Sequence, residues 1–155
     1  MNLAELTPRL EKGEDLHTEF KAWPIAPDDL APSIAAFANT DGGQVILGAD
    51  NQGQVVGIDE KEVDRATRLV DNVAFSNCEP PVTVIQETIR DEKGRVVIVV
   101  NVPQGDQRPY RTNRGVYYVR TTSGRRQASR EELLRLFQSF LLTRVDSPRL
   151  TVLRL

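Results

Sequence analysis

The stretch AFANTDGGQVILGAD, residues 36–50, places a helix end and a buried strand within a few residues of each other. The apolar residues 36–38 continue a helical stripe, and Asn39, Gly42 and Gly43 supply the backbone freedom that ends a helix. The QVILGAD segment that follows is apolar on both faces, which is typical of a central strand. The chain is therefore expected to fold around a sheet whose central strand starts directly against a helix.

The same turn has some similarity to a phosphate-binding loop. It lacks the order GxxxxGK[ST] with its lysine, and the helix precedes the glycines, so that the negative end of the helix dipole would face a phosphate. We therefore interpret Asn39, Gly42 and Gly43 as structural turn residues, and we do not expect ATPase activity.

The remaining patterns alternate helices with hairpins. A leucine stripe predicts an N-terminal helix, LHTEFKAW alternates as a strand with a polar face, and residues 59–77 are predicted to be helical. Turn signals predict a hairpin after QVILGAD and a second hairpin that joins VTVIQETIR to RVVIVVNV. After a polar loop, GVYYVRTT is a further strand, and Arg125 and Arg126 follow it in a Ser-Gly loop. Ser129 with Glu132 forms a capping box before a last helix.

These elements predict an α+β single domain with a largely antiparallel or mixed sheet packed by three to four helices. The length of 155 residues also suits one domain. We expect the domain to span residues 1–142, and we expect residues 143–155 to form a short strand or a disordered tail.

Composition excludes several kinds of site. Cys78 is the only cysteine and His17 the only histidine, so an intrachain disulfide and a zinc site of the usual Cys/His kind are excluded. No apolar run reaches the roughly 18 to 20 residues of a membrane helix, and the charged N-terminus does not have the pattern of a signal peptide. We expect a cytoplasmic protein with no membrane partner.

The net charge of −2 conceals an asymmetry. Residues 107–130 contain seven arginines and no Asp or Glu, so this segment has a charge of +7 and the other 131 residues have −9. A local basic stripe on an acidic body suits an anionic ligand. The alternative is a solvated surface that is rich in arginine.

Tyrosines, threonines and serines alternate with these arginines, which is typical of nucleic-acid contacts. Arginines neutralise phosphates, hydroxyl and backbone N–H groups add phosphate contacts, and a tyrosine stacks on unpaired bases. Arg125 and Arg126 are expected to be the strongest phosphate clamp, because no acid lies near them in sequence. The predicted contacts are Lys21, Arg108, Tyr110, Arg111, Arg114, Tyr118, Arg120, Arg125 and Arg126.

Four acids form a second candidate site: Glu14, Asp15 and Glu19 near the first strand, and Asp50 at the end of the central one. Carboxylates that converge from separate segments hold Mg²⁺ or Mn²⁺, which prefer oxygen ligands. The alternative is that these acids lie on the surface and that Asp50 is a turn residue. Their spacing alone leaves both interpretations open.

Three blocks of the sequence together resemble the Schlafen AlbA-like domain, which has also been called a DNA-binding domain and a divergent ATPase-type domain. The blocks are GEDLHTEFK (13–21), IAAFANTDGGQVILGADNQGQVVGI (34–58) and RPYRTNRGVYYVRTTSGRRQASREEL (108–133). The resemblance implies an α+β nucleic-acid-binding module, which in bacteria is often the front end of a longer regulator.

The resemblance also implies site residues. A related core in animal Schlafen proteins cleaves structured RNA with three acidic residues, which match Glu14, Glu19 and Asp50 here and would hold Mg²⁺ or Mn²⁺. Asp15 stands where the family usually has Ser. The animal core has two lobes and a zinc site, whereas this chain has one lobe and lacks the zinc ligands. A homodimer is therefore expected to form a comparable groove.

Three hypotheses about function follow. The first is a nucleic-acid-binding domain, for DNA or RNA, that contacts the phosphate backbone through its arginine-rich segment. The second is a divalent-metal-dependent endoribonuclease that uses the three acids. The third is a protein-interaction or oligomerisation module whose arginines pair with acidic partners.

Overall fold

The computed structural model describes residues 1–145, which form four helices and eight strands. The helices are α1 (Leu3–Lys12), α2 (Pro27–Asn39), α3 (Val63–Ser76, entered through a 3₁₀ turn at Glu60–Glu62) and α4 (Arg130–Val145). The strands are β1 (Thr18–Lys21), β2 (Gly43–Leu47), β3 (Cys78–Glu79), β4 (Ile85–Arg90), β5 (Val96–Val102), β6 (Arg111–Thr112), β7 (Tyr118–Thr121) and β8 (Gly124–Gln127). None of the helices in this part of the chain is long and apolar enough to span a membrane.

Four strands form the main sheet, in the order β1-β2-β5-β4. Strand β1 runs parallel to β2, whereas β5 is antiparallel to both of its neighbours, β2 and β4. The remaining four strands form two small antiparallel sheets, β3–β6 and β7–β8. This architecture confirms the predicted α+β class with a mixed sheet and four helices.

Helices cover both faces of the main sheet because its central strands are apolar on both sides. Val45 and Leu47 of β2 pack with α2 and α3. Ile46 packs on the opposite face with Leu6 and Leu10 of α1. The three β2 side chains are fully buried, and each contributes about 1.5–3 kcal/mol of hydrophobic stabilisation. The apolar run therefore forms the central strand that its pattern predicts.

The AFANTDGG segment ends α2 at Asn39 and reaches β2 through two glycines. Gly42 has a φ of +72°, a backbone conformation that residues with a Cβ rarely adopt. At Gly43 an added Cβ would lie 2.5 Å from Phe37 Cε1, so helix and strand approach too closely for a side chain. No non-glycine residue in the described chain has a positive φ, so the prediction that Asn39 supplies backbone freedom is wrong.

One of the two predicted hairpins is confirmed. Strands β4 and β5 pair as expected through the turn that joins them. The hairpin expected after β2 is reduced to a single bridge between Ala49 and Val55. Three glycines with positive φ, Gly48, Gly53 and Gly57, bend this segment out of the extended conformation.

The segment SGRR differs from its prediction. It is predicted to be a loop, but Ser123 lies in the turn of the β7–β8 hairpin and Gly124 begins the second strand, so Arg125 and Arg126 lie on β8. Gly124, with a φ of +129°, permits the tight turn.

The C-terminal helix crosses the expected boundary between domain and tail. Helix α4 extends to Val145, past the expected domain end at residue 142. The rest of the predicted tail, residues 146–155, lies outside the described residues.

Candidate nucleic-acid interface

A cleft of about 400 Å³ brings together two of the segments that the sequence singled out. It lies between the segment that leads into β1 and the turn of the β7–β8 hairpin. Two predicted carboxylates, Glu14 and Glu19, line the same space as Lys21, Arg120 and Arg125. The full lining is Glu14, Asp15, Glu19, Phe20, Lys21, Asn51, Arg120, Thr122, Ser123, Gly124 and Arg125.

Local hydrogen bonds position the hairpin side of the cleft. Thr121 Oγ1 accepts a hydrogen bond from the Ser123 N–H at 3.3 Å, which folds the turn. Arg125 extends back to α2, where it donates to the Asp29 carbonyl at 2.8 Å and to the buried Ser33 hydroxyl. Arg125 is therefore held at the cleft wall by neutral acceptors, and its charge is not cancelled.

The buried side chain of Arg120 links β7 to the residues before β1. Its side chain is 1% exposed and its guanidinium lies 4.4 Å from the centre of the Phe37 ring. It donates to the carbonyls of Asp15 at 2.7 Å and Leu16 at 3.4 Å, and it pairs with Glu19 Oε1 at 3.3 Å. A guanidinium without exposed surface cannot reach a phosphate, so the structure corrects the predicted phosphate contact at Arg120.

Three more of the predicted phosphate contacts are engaged in surface ion pairs. These are Arg111 with Glu79, Arg114 with Asp28, and Arg126 with both carboxylate oxygens of Glu132. Arg126 does have an acid nearby, because the start of α4 returns Glu132 to β8. Exposed pairs contribute roughly 0–1 kcal/mol, so a phosphate can displace the carboxylate, but only with loss of that pairing.

Lys21 and Arg125 are the cleft cations that have no carboxylate partner among residues 1–145. Arg108 also lacks an ion pair in that part of the chain, but it lies in the loop between β5 and β6, outside the cleft. The basic part of the cleft is therefore much smaller than the arginine stripe of the sequence.

The predicted base-stacking tyrosines do not line the cleft. Tyr110 is 4% exposed and its hydroxyl accepts a hydrogen bond from the Gln107 N–H at 3.2 Å. Burial raises the pKa of Tyr110. Tyr118 is half-buried in a small pocket beside α2, and Tyr117 packs edge-on against Phe137. The structure thus corrects the stacking role of Tyr110, which belongs to the core.

The three carboxylates of the predicted metal site do not converge. Glu14 accepts the Phe20 N–H at 3.0 Å, Glu19 pairs with Arg120, and Asp50 Oδ1 accepts two N–H groups of its own turn at 2.9 Å. Residues 1–145 contain no group of three His, Cys, Asp or Glu side chains arranged to hold a metal ion. The residues therefore do not fit a three-carboxylate site, and Asp50 has the turn role that was the alternative.

Asp15 is tied into the turn before β1. Arg9 donates to Asp15 Oδ2 at 2.8 Å and to Thr18 Oγ1 at 2.7 Å. Burial of Asp15 favours its protonated form, but the His17 N–H and the Arg9 guanidinium outweigh this and lower the pKa of Asp15. Arg9 and Arg120 therefore hold the same turn from two sides.

Asn39 has a structural role that the sequence prediction missed. It is 3% exposed, its Nδ2 donates to the carbonyls of Tyr110 and Tyr118, each at 2.8 Å, and its Oδ1 accepts the Tyr110 N–H at 2.6 Å. These bonds join the end of α2 to the segments that enter β6 and β7. The sequence does contain a signal for this role, since Asn39 ends an apolar helix. A buried side-chain amide requires hydrogen-bond partners, so this position could have predicted such contacts.

The contacts of Glu132 at the start of α4 are expected to make the folding stability of the protein depend on pH. The Glu132 N–H donates to Ser129 Oγ, and the Ser129 N–H donates to Glu132 Oε1, as in the predicted capping box. Arg126 and then these bonds lower the pKa of Glu132 from 4.5 to about 2. Because the folded-state pKa is the lower one, this stabilisation is present above the unfolded-state pKa and is lost as the pH falls towards 2.

Thermal unfolding of wild type and Glu132→Gln checks this expectation across the acid range. The wild type should have the higher Tm above pH 4.5, and the difference should shrink as the pH approaches 2. A difference that does not depend on pH would contradict the assigned role of Glu132.

The fold and the cleft define an α+β module with two cations and several hydrogen-bond donors at one cleft. A family model described as Schlafen, AlbA_2 matches residues 14–129. The chain therefore belongs to this family, as the resemblance of its three blocks predicts. The matched region begins after α1 and ends before α4.

Two solved structures share this fold. The DIP2311 protein from Corynebacterium diphtheriae is 19% identical with a TM-score of 0.57, and the match covers 86% of this chain and 31% of that one. The N-terminal domain of a RecG-related protein from Nitrosomonas europaea is 22% identical with a TM-score of 0.60, and the match covers 73% of this chain and 81% of that domain. No curated protein matches the chain.

Proposed function

We propose that the chain is a nucleic-acid-binding domain whose cleft holds the sugar–phosphate backbone. The main support is the position of Lys21 and Arg125, which line one cleft and have no carboxylate partner among the described residues. The turn at residues 122–124 adds hydroxyl and backbone N–H groups of the kind that contact phosphates. Further support comes from the family, and from a structural relative that is related by name to the DNA helicase RecG.

The charge of the cleft limits this binding to a few phosphates. Two of its three carboxylates are paired with arginines, which leaves Glu14 beside Lys21 and Arg125. Two phosphate contacts on a duplex give a slope of about −1.8 in log affinity against log salt. We therefore expect modest affinity and a shallow salt dependence.

Fluorescence anisotropy with labelled DNA and RNA at several salt concentrations tests the proposal. Lys21→Ala and Arg125→Ala should each weaken binding and should each reduce the slope by about 0.9, because each removes one phosphate contact.

Two arginines outside the cleft provide matched controls. Arg108→Ala removes a cation without an ion pair, and Arg114→Ala removes one that pairs with Asp28. Both variants should keep wild-type affinity and slope. Unchanged binding by the Lys21 and Arg125 variants, or equal losses in the control variants, would refute the cleft as the interface.

One observation favours the nuclease as a second candidate. Glu19 Oε2 is buried without a hydrogen-bond partner, and Glu14 lines the same cleft. Such an enzyme would have to rely on these two carboxylates, since Asp50 is engaged in its turn. Labelled RNA and single-stranded DNA incubated with Mn²⁺ test this candidate. Cleavage that is lost in Glu14→Ala but kept in Asp50→Ala would support it, and absence of cleavage by wild type would reject it.

The interaction-module hypothesis and the expected homodimer also remain proposals. If the arginines bind acidic proteins, polyglutamate should compete with nucleic acid at equal charge concentration. Light scattering at the concentrations used for binding reports the oligomeric state.

A further inference from the structure

Helix α4 has more apolar surface than the domain covers. Leu133, Leu136 and Phe140 are half-buried, and the Phe137 ring contacts Tyr117 edge-on, with 6.2 Å between the ring centres. A helix on the surface of a domain needs one apolar stripe, about 100° wide, to pack against it. The apolar positions of α4 continue beyond that stripe.

A second apolar stripe of α4 is exposed to solvent. Leu134, Leu141 and Leu142 are each more than half exposed, and Phe137, at the border between the two stripes, is 42% exposed. The steps of three and four residues from Leu134 to Phe137 and Leu141 place these side chains on one face, with the spacing of a coiled-coil seam. An exposed apolar patch of this kind marks an interaction site. We call these four residues the exposed stripe.

The charges beside the exposed stripe indicate what kind of partner covers it. Arg130 and Glu131, one turn before Leu134, have opposite charges, and Gln138, one turn after it, is neutral. Among the side chains that the structure describes, the stripe therefore has no net charge to attract nucleic acid or a highly charged protein. An identical stripe matches it in both charge and spacing, because a two-fold axis maps such a face onto itself.

We propose that a second copy of this chain covers the exposed stripe, with the two α4 helices packed antiparallel about a two-fold axis near Phe137. Leu134 of each copy then lies beside Leu141 of the other. A parallel pair would bring the Arg130 residues of both copies to the same end, and likewise the two Glu131 residues. The antiparallel pair keeps these like charges apart.

The size of this interface makes the dimer weak. Sixteen residues give a helix about 24 Å long, so one helix pair falls at the low end of interfaces, below roughly 1,200 Å². We therefore expect dissociation in the micromolar range.

The dimer would have two clefts, because α4 follows β8, the strand that carries Arg125. This consequence rests on the proposed function of the cleft. A duplex long enough to reach both clefts would be bound at two sites of one assembly, which raises its apparent affinity. Four phosphate contacts give a salt slope of about −3.6.

Sedimentation equilibrium without nucleic acid tests the interface. Wild type should change from monomer to dimer across the micromolar range, and Leu134→Lys and Leu141→Glu should each remain monomeric, because each buries an unpaired charge. The two substitutions together should restore the dimer, since in the antiparallel pair each new cation faces the new carboxylate of the other copy. Phe75→Gln, which replaces an exposed side chain of α3, is the matched control and should dimerise like wild type. Circular dichroism checks that all variants fold.

The outcomes separate this inference from the proposed function. A wild type that stays monomeric throughout the micromolar range, or a Phe75→Gln variant that dissociates like Leu134→Lys, overturns the interface. A double variant that stays monomeric overturns the antiparallel arrangement. Nucleic acid that fails to bind a protein that still dimerises overturns the proposed function of the cleft and leaves the interface in place.

Binding measured with short and long duplexes tests the link between the two. Leu141→Glu should leave the affinity for a duplex that spans one cleft unchanged and should reduce the salt slope for a long duplex from about −3.6 to about −1.8. Equal slopes for wild type and Leu141→Glu on the long duplex would overturn binding by two clefts.

Discussion

Replacing Arg120 by methionine is expected to lower the free energy of unfolding by about 3–5 kcal/mol. Glu19, which is 7% exposed, would keep its charge without a partner. The carbonyls of Asp15 and Leu16 would also lose their donor. Urea unfolding monitored by circular dichroism measures this loss.

Two further variants separate the ion pair from simple truncation. Adding Glu19→Gln to Arg120→Met removes the uncompensated charge, so the double variant should be more stable than the single one. Arg114→Met breaks an exposed ion pair and should cost less than about 1 kcal/mol. A double variant that is no more stable than Arg120→Met would contradict the assigned role of the pair.

Asn39→Ala is expected to lower the free energy of unfolding by about 3–5 kcal/mol, because unsatisfied buried polar groups cost about 1–3 kcal/mol each. The substitution leaves the carbonyls of Tyr110 and Tyr118 and the Tyr110 N–H without their partner. The same urea titration measures the loss.

Asn113→Ala is the matched control for Asn39→Ala. Asn113 is exposed and its side chain makes no hydrogen bond within residues 1–145, so the change should stay within about 0.5 kcal/mol. Similar small losses in both variants would show that the Asn39 bonds do not hold α2 to β6 and β7. Asn39→Asp keeps the acceptor for the Tyr110 N–H but places a buried carboxylate oxygen against the carbonyls of Tyr110 and Tyr118, so at neutral pH it should be at least as destabilising as Asn39→Ala.

The main elements of the fold were predictable because their signals are local. The two-sided apolar pattern of QVILGAD identifies a central strand, and Val45, Ile46 and Leu47 are buried on both faces of the sheet. The capping box at Ser129 and Glu132 likewise needs only a short stretch of sequence. Hairpin signals were less reliable, because glycines that permit a turn also permit the chain to leave the sheet.

The candidate site was less predictable, because its contacts join distant parts of the chain. Arg120 and Glu19 are 101 residues apart, and Asn39 and Tyr110 are 71 apart. Alternation within a strand shows which side chains share a face, but not what covers that face. An arginine on an exposed surface and one in the core therefore have the same sequence pattern.

The acidic residues illustrate the same limit. Glu14 and Glu19 line one cleft because both lie on a single short segment. The position of Asp50 depends on the turn that follows β2, whose N–H groups bind its carboxylate. Competition from local backbone donors is not visible in a list of acids.

Amide chemical shifts measured while nucleic acid is added to the labelled protein test most directly whether the cleft is the interface. The largest changes should fall on Lys21, Ser123 and Arg125, with none at Lys93. Changes confined to the ion-paired surface around Arg114, with the cleft amides unmoved, would contradict the proposed interface.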